Sequence, residues 1–184
     1  KGPFSGLRLF ALALAERITC ASTCLNWNRC YGNNTPFAKR HLPGPHLEQA
    51  VIDDILWLRT RSVDGFAVRL HVLGDFYGVG YVKLWGDLLS AYEGLHICGH
   101  THRMPGTPIG DAVTQLVHEH KGRAMVMRSD GGEGDPLPRA VTVEHWDDKP
   151  KGFVACPTQT KHTVSCLECG LCMDGRTQVA FLVH

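Results

Sequence analysis

Eight cysteines in a chain of 184 residues are too many for an ordinary domain, and they are grouped rather than scattered. They fall as Cys20, Cys24 and Cys30, then Cys98 alone, then Cys156, Cys166, Cys169 and Cys172. Disulfide frameworks belong to shorter chains without a core, whereas 43% of this chain is hydrophobic, so metal ligation is the better account. Cys20-x3-Cys24-x5-Cys30-Tyr31 puts three thiolates within eleven residues of loop. A cubane iron–sulfur cluster held by three cysteines leaves one iron open to a substrate or cofactor, as a catalytic zinc keeps an open position. A zinc site or unliganded thiols are the alternatives for this group. Cys156-Pro157 followed by Cys166-x2-Cys169-x2-Cys172 supplies four thiolates, a closed shell for a four-iron cluster or for zinc. In ferredoxin-type ligation three cysteines likewise come from one tight loop and the fourth from elsewhere.

Other residue types suited to chemistry stand near strand ends. His100 and His102 alternate on one strand face ahead of Arg103, a polar patch where barrel folds place their chemistry. His100 and Arg103 are therefore the catalytic candidates, set against the reading of solvated or hydrogen-bonded histidines. Arg128 and Asp130 precede a glycine loop and suit a ribose or a carboxylate, or a turn in which the aspartate caps the backbone. His71 and Asp75 share strand parity, with a structurally satisfied His71 the simpler reading. Cys98, in the apolar run Leu95-His96-Ile97-Cys98, reads as a small buried hydrophobe. Trp27 reads as shielding for a cluster.

The elements that must position these groups follow from periodicity. Leu7 to Ala15 reads as a first strand that delivers the chain to the first cysteine group, in a loop ending near Pro45. Leu47, Val51, Ile52, Ile55 and Leu58 recur at helical spacing, which predicts a helix to Arg59. Phe66 to Leu73 is rich in β-formers and runs into Gly74-Asp75. Tyr81, Val82, Leu84, Trp85, Leu88, Leu89 and Tyr92 form the clearest helical stripe. Leu95 to Thr101 is a strand, Thr107-Pro108 opens a helix to about His120, and Arg123 to Ser129 is a strand. Two further strands are expected at Arg139 to Glu144 and Gln178 to Val183. Strands alternating with helices imply a parallel sheet with ligands at the carboxyl ends of its strands. The expected fold is α/β, a partial (β/α) barrel of about six parallel strands over residues 1–149. Residues 150–184 would add a cysteine-rich cluster segment and the last strand to the same globular unit.

Several motifs carry a resemblance to a known family. Cys20-x3-Cys24-x5-Cys30-Tyr31-Gly32, His71-Val72-Leu73-Gly74-Asp75-Phe76, Thr101-His102-Arg103, Arg128-Ser129-Asp130-Gly131 and the terminal Cys-Pro with C-x2-C-x2-C span most of the chain. Together they resemble the radical S-adenosylmethionine (SAM) superfamily, in particular small radical-SAM-like proteins of phages and prophages. The superfamily's usual spacing is C-x3-C-x2-C, so the third cysteine is displaced here. The resemblance implies two four-iron (4Fe-4S) clusters, with SAM as a second cofactor on the open iron of the first. It implies SAM-side roles for Tyr31, Gly74, Asp75, Arg128 and Asp130, with Asp75 standing where members carry a Glu that meets the SAM amino group. It brings no established substrate.

Three functions compete on these grounds: a radical SAM-type enzyme, a non-catalytic iron–sulfur electron carrier or sensor, and a zinc-binding interaction module. The enzyme would need an external electron donor and a substrate of unknown identity. A formal net charge of +1, with no basic run longer than Lys39-Arg40, lacks the electrostatic footprint of a nucleic-acid binder. No stretch of about 20 apolar residues exists, so no membrane span is expected. The apolar run Leu9 to Ala15 is followed by Glu16-Arg17 rather than a small-residue cleavage site, which favours a cytoplasmic protein.

Overall fold

A computed structural model describes Phe4 and residues 6–183. In chain order the main elements are β1 (Arg8–Ala11), α1 (Glu16–Thr19), α2 (Pro45–Arg59), β2 (Phe66–Leu70), α3 (Val79–Ala91), β3 (Leu95–Thr101) and α4 (Pro108–Glu119). They continue as β4 (Ala124–Ser129), β5 (Arg139–Val143), β6 (Val154–Ala155), α5 (Cys166–Cys169) and β7 (Val179–Leu182). Every strand pairing is parallel, in the order β1-β2-β3-β4-β5-β7-β6, and the sheet curls into a half-barrel. The partial barrel is the expected architecture, with seven strands rather than about six. The additional strand, β6, is two residues long and has no periodicity for a sequence reading to detect.

Strand alternation divides the molecule into two layers. Phe66, Val68 and Leu70 of β2, with Leu95 and Ile97 of β3 and Ala124 and Val126 of β4, face the helices. There they meet Val51 and Ile55 of α2, Tyr81, Trp85 and Leu89 of α3, and Val113 and Leu116 of α4. Each such buried side chain contributes about 1.5–3 kcal/mol relative to exposure. The opposite residues of these strands, Ala67, Cys98 and Met127, line the concave face with Ala140 of β5 and Val179 of β7. Leu167, Leu171, Cys172 and Met173 of the C-terminal segment pack into that hollow. The cysteine-rich tail thus covers the inner face of the half-barrel and contributes β6 and β7 to its sheet.

Local signals place the element ends. The Thr107 hydroxyl accepts from Gly110 N at 3.1 Å and Pro108 occupies the first turn, so α4 opens where expected. β1 is shorter than the expected Leu7 to Ala15, because the chain turns into α1 as the cysteine loop begins. β2 stops at Leu70, because His71 takes a φ of 53° and the strand cannot continue through it. His71 and Asp75 therefore do not share a strand face.

Candidate metal centre

The loop from β1 to α2 carries Cys20, Cys24 and Cys30 and crosses the carboxyl ends of the strands. At one side Leu14 N donates to Leu73 O at 2.8 Å, joining it to the exit of β2. In the middle His102, just beyond β3, donates through Nε2 to Thr23 O at 3.1 Å. At the far side Asn26 Nδ2 donates to Thr142 Oγ1 of β5 at 3.0 Å, and Arg29 pairs with Glu144. Arg40 draws the loop closed. Its guanidinium donates to Glu16 Oε2 at 2.8 Å, Gly32 O at 2.8 Å, Ala38 O at 2.9 Å and Thr35 O at 3.0 Å. Arg17 stacks on Trp27, 4.9 Å from its ring centroid, and donates to Asn33 Oδ1 at 2.6 Å.

Two strand-end residues press against this loop. Gly74 has a φ of 91°, and a Cβ there would lie 2.6 Å from both Leu14 Cβ and Thr19 Oγ1. Only glycine brings the exit of β2 so close to the first cysteine. Asp75 is 3% exposed, and both its carboxylate oxygens accept hydrogen bonds from the protein. Oδ1 receives Thr101 Oγ1 and Phe76 N, each at 2.7 Å, and Oδ2 receives His102 N at 2.8 Å. Burial pushes its carboxyl up, opposed by these donors and by Arg103.

Burial pushes the Cys20 thiol up to about 12, with Asp75, Cys24 and Cys30 adding to the effect and Arg103 opposing it. Cys24 is raised as well, by burial first and by Asp130 and Cys30 among its neighbours. A thiol raised in this way becomes a ligand only where a bound cationic centre displaces its proton. Cys30 Sγ accepts from Gly32 N at 3.4 Å, a hydrogen bond of the kind that stabilises a ligating sulfur.

The second group rings a cavity on the concave face. Cys156 ends β6, where its N–H donates to Ala180 O at 2.9 Å. Cys166 and Cys169 lie on α5, capped by the Ser165 hydroxyl, which accepts from Glu168 N at 3.2 Å. Gly170, with a φ of 67°, ends that turn, and Cys172 follows in a single 3-10 turn. The cavity holds about 50 Å³ and is lined by these four cysteines with Arg69, Cys98, His100 and Phe181. Burial and the other three thiols push Cys172 up to about 12. Among the described residues, no three histidine, cysteine, aspartate or glutamate side chains converge tightly enough to hold a single metal ion. A lone zinc needs its thiolates about 2.3 Å from one point, whereas a cubane spreads its ligands around a larger body. Four thiols ringing one cavity are the donor set of either a four-iron cluster or a zinc ion.

The residues singled out from sequence separate in space. Arg103 reaches the first loop, donating from Nε to Phe76 O at 2.8 Å and from Nη2 to Thr19 O, with Nε 4.0 Å from Asp75 Oδ2. His100 faces the second cysteine group instead, its ring edge on Phe181 at 5.6 Å. Arg128 turns toward the helix layer, fully buried, where it donates to Thr114 Oγ1 of α4 at 2.9 Å, to Arg103 O and to Asp135 Oδ2 at 3.2 Å. Its guanidinium braces the protein rather than facing the cysteine loop. Asp130, at a φ of 56°, places Oδ2 3.8 Å from His102 Nδ1, and burial raises its carboxyl. Burial pushes the Tyr31 phenol up to about 12, opposed by Arg69 and augmented by Cys30 and Cys20. Cys98 is 3% exposed, packs with Ala67 and Met173, and also lines the cavity of the second group.

Sequence reasoning missed Arg40 and Arg69. Arg40 has no sequence signature, because three of its four partners are backbone carbonyls. Arg69 had one: in Phe66-Ala67-Val68-Arg69-Leu70 it alternates with the helix-facing residues and must point into the hollow. Compared with protein-family models, with curated proteins and with solved structures, the chain matches none.

Proposed function

We propose that the chain is an iron–sulfur enzyme of the radical SAM type, holding one cluster on Cys20, Cys24 and Cys30 and a second on Cys156, Cys166, Cys169 and Cys172. The observation that carries this reading is the placement of the three-cysteine loop. It leaves the first strand of a parallel half-barrel, crosses the carboxyl ends of the strands and is pressed by Gly74 against the exit of β2. Bound together, a three-cysteine cluster and SAM supply reductive cleavage of SAM and a 5'-deoxyadenosyl radical for hydrogen abstraction. The chain's own residues supply position and shelter. Arg40 and Arg103 hold the loop, Asp75 ties the exits of β2 and β3 together, and the C-terminal segment closes the hollow against water.

Asp75 is buried and already accepts three hydrogen bonds from the protein, so a single acceptor site, on Oδ2, is left for the SAM amino group. That observation favours a second reading, an iron–sulfur electron carrier that binds no SAM. Anaerobic reconstitution with iron and sulfide separates the two. With dithionite, the enzyme converts SAM into 5'-deoxyadenosine and methionine, slowly in the absence of its substrate, and Cys24→Ala abolishes the conversion. Fully loaded protein that makes no 5'-deoxyadenosine and binds no SAM by calorimetry is an electron carrier.

A further inference from the structure

Arg69 is a charged side chain on the floor of the half-barrel, beside the C-terminal cysteine group. It projects from β2 into the concave face, with Nη1 3.7 Å from Cys166 Sγ. It lines the same cavity as Cys98, His100 and Cys172. Among the described residues no carboxylate pairs with it. Nearby on the same face, His100 Nε2 is shielded from solvent and has no hydrogen-bond partner among the described residues. A guanidinium whose hydrogen bond goes to a cysteine sulfur and a buried imidazole nitrogen without a partner, both lining a cavity ringed by four thiols, need an account beyond packing. A buried polar nitrogen without a partner is costly, so His100 points to a ligand.

Resting on the proposed iron–sulfur reading, we propose that Arg69 and His100 are positioning residues that set the reduction potential of the C-terminal cluster. Each offers an N–H to its ligating or bridging sulfurs, and Arg69 adds a positive charge. Reduction places one electron, and so one further negative charge, on the cluster and moves no proton. The source is a low-potential one-electron donor. A fixed cation and donors aimed at the sulfurs stabilise the more negative state and raise its potential. The cluster facing Arg69 then accepts electrons more readily than the same four thiolates would dictate, as an acceptor beside the first cysteine group requires.

The test is a redox titration followed by electron paramagnetic resonance on full-length Cys24→Ala protein, in which the C-terminal cluster is observed alone. Adding Arg69→Gln is expected to disfavour the reduced state about tenfold, a fall of about 59 mV for a one-electron couple. Arg69→Lys, which keeps the charge, is expected to recover most of that fall, and His100→Phe to give a smaller fall of the same sign. Unchanged potentials with iron retained overturn the proposal. Loss of the cluster in both Arg69 variants also overturns it, by making Arg69 a brace of the cysteine segment. Should Cys166→Ala/Cys169→Ala/Cys172→Ala leave the iron content of otherwise unmodified protein unchanged, the two-cluster reading itself fails. That result is distinct from a potential that does not move.

Discussion

His71 is a buried imidazole that the fold keeps neutral. Nε2 lies 3.2 Å from the Tyr81 hydroxyl, Nδ1 has no partner among the described residues, and burial pushes the group down to about 3. An unfolded histidine titrates near its ordinary value of about 6.5. Between that value and about 3 the unfolded chain binds a proton that the folded chain does not, so stability rises with pH across this window. It is fully present above the unfolded value and is lost as pH falls toward the folded one. One such group sets a limiting slope of about 1.4 kcal/mol per pH unit. His100, pushed down to about 4 by burial and then by Arg69, acts with the same sign. The urea midpoint is therefore expected to fall between about pH 7.5 and about pH 5, and to fall less in His71→Asn, since asparagine tolerates the positive φ. An equal fall in both proteins would mean that His71 titrates normally when folded.

At the scale of elements, the cysteine loop is held by the exit of β2 more than by any order of its own. Its regular structure is one turn of α1 and one 3-10 turn over Tyr31–Asn34, and the rest is fixed by hydrogen bonds to other elements. Gly74 is the point of closest approach, and Gly74→Ala tests it. Gly152 has a comparable φ of 87°, and a Cβ there would meet nothing within 4 Å, so Gly152→Ala measures the backbone strain alone. That strain costs about 1–3 kcal/mol. Gly74→Ala is expected to cost more by urea unfolding, because Leu14 and Thr19 must move away, and to lower iron at the first group while sparing the C-terminal group. Equal losses in the two variants would show that the loop yields to the methyl group without disturbance.

Across the whole molecule, the half-barrel gathers two sets of cysteines far apart in sequence. One set crosses the strand ends from β1 to β5, and the other rings a cavity beneath β2, β3 and β7. If the chain holds the two proposed clusters, reducing each by one electron is expected to make their unpaired spins interact, broadening or splitting the resonance signal. The signal of Cys24→Ala should be simple. Two signals that merely add would place the clusters too far apart for direct exchange of electrons. Among the described residues no helix is long and apolar enough to cross a membrane.

The strand-and-helix alternation was written in the sequence, because a period of two or of 3.6 is a local property of neighbouring side chains. Leu95 to Thr101 and the start of α4 at Pro108 were legible to the residue. The division of the thiols into three and four was equally plain, since ligands from one loop lie close in sequence. Tertiary structure alone decided which groups meet. His100 and Arg103 stand three residues apart, yet strand pleat and chain turn send one to the second cysteine group and the other to the first. Arg128 and Asp75 read as ligand-binding groups because their types suit it, but packing surrounds both with protein partners. Arg40 acts through backbone carbonyls of its own loop, which carry no side-chain signature, and Arg69 through Cys166, 97 residues away, a pairing that no spacing along the chain encodes.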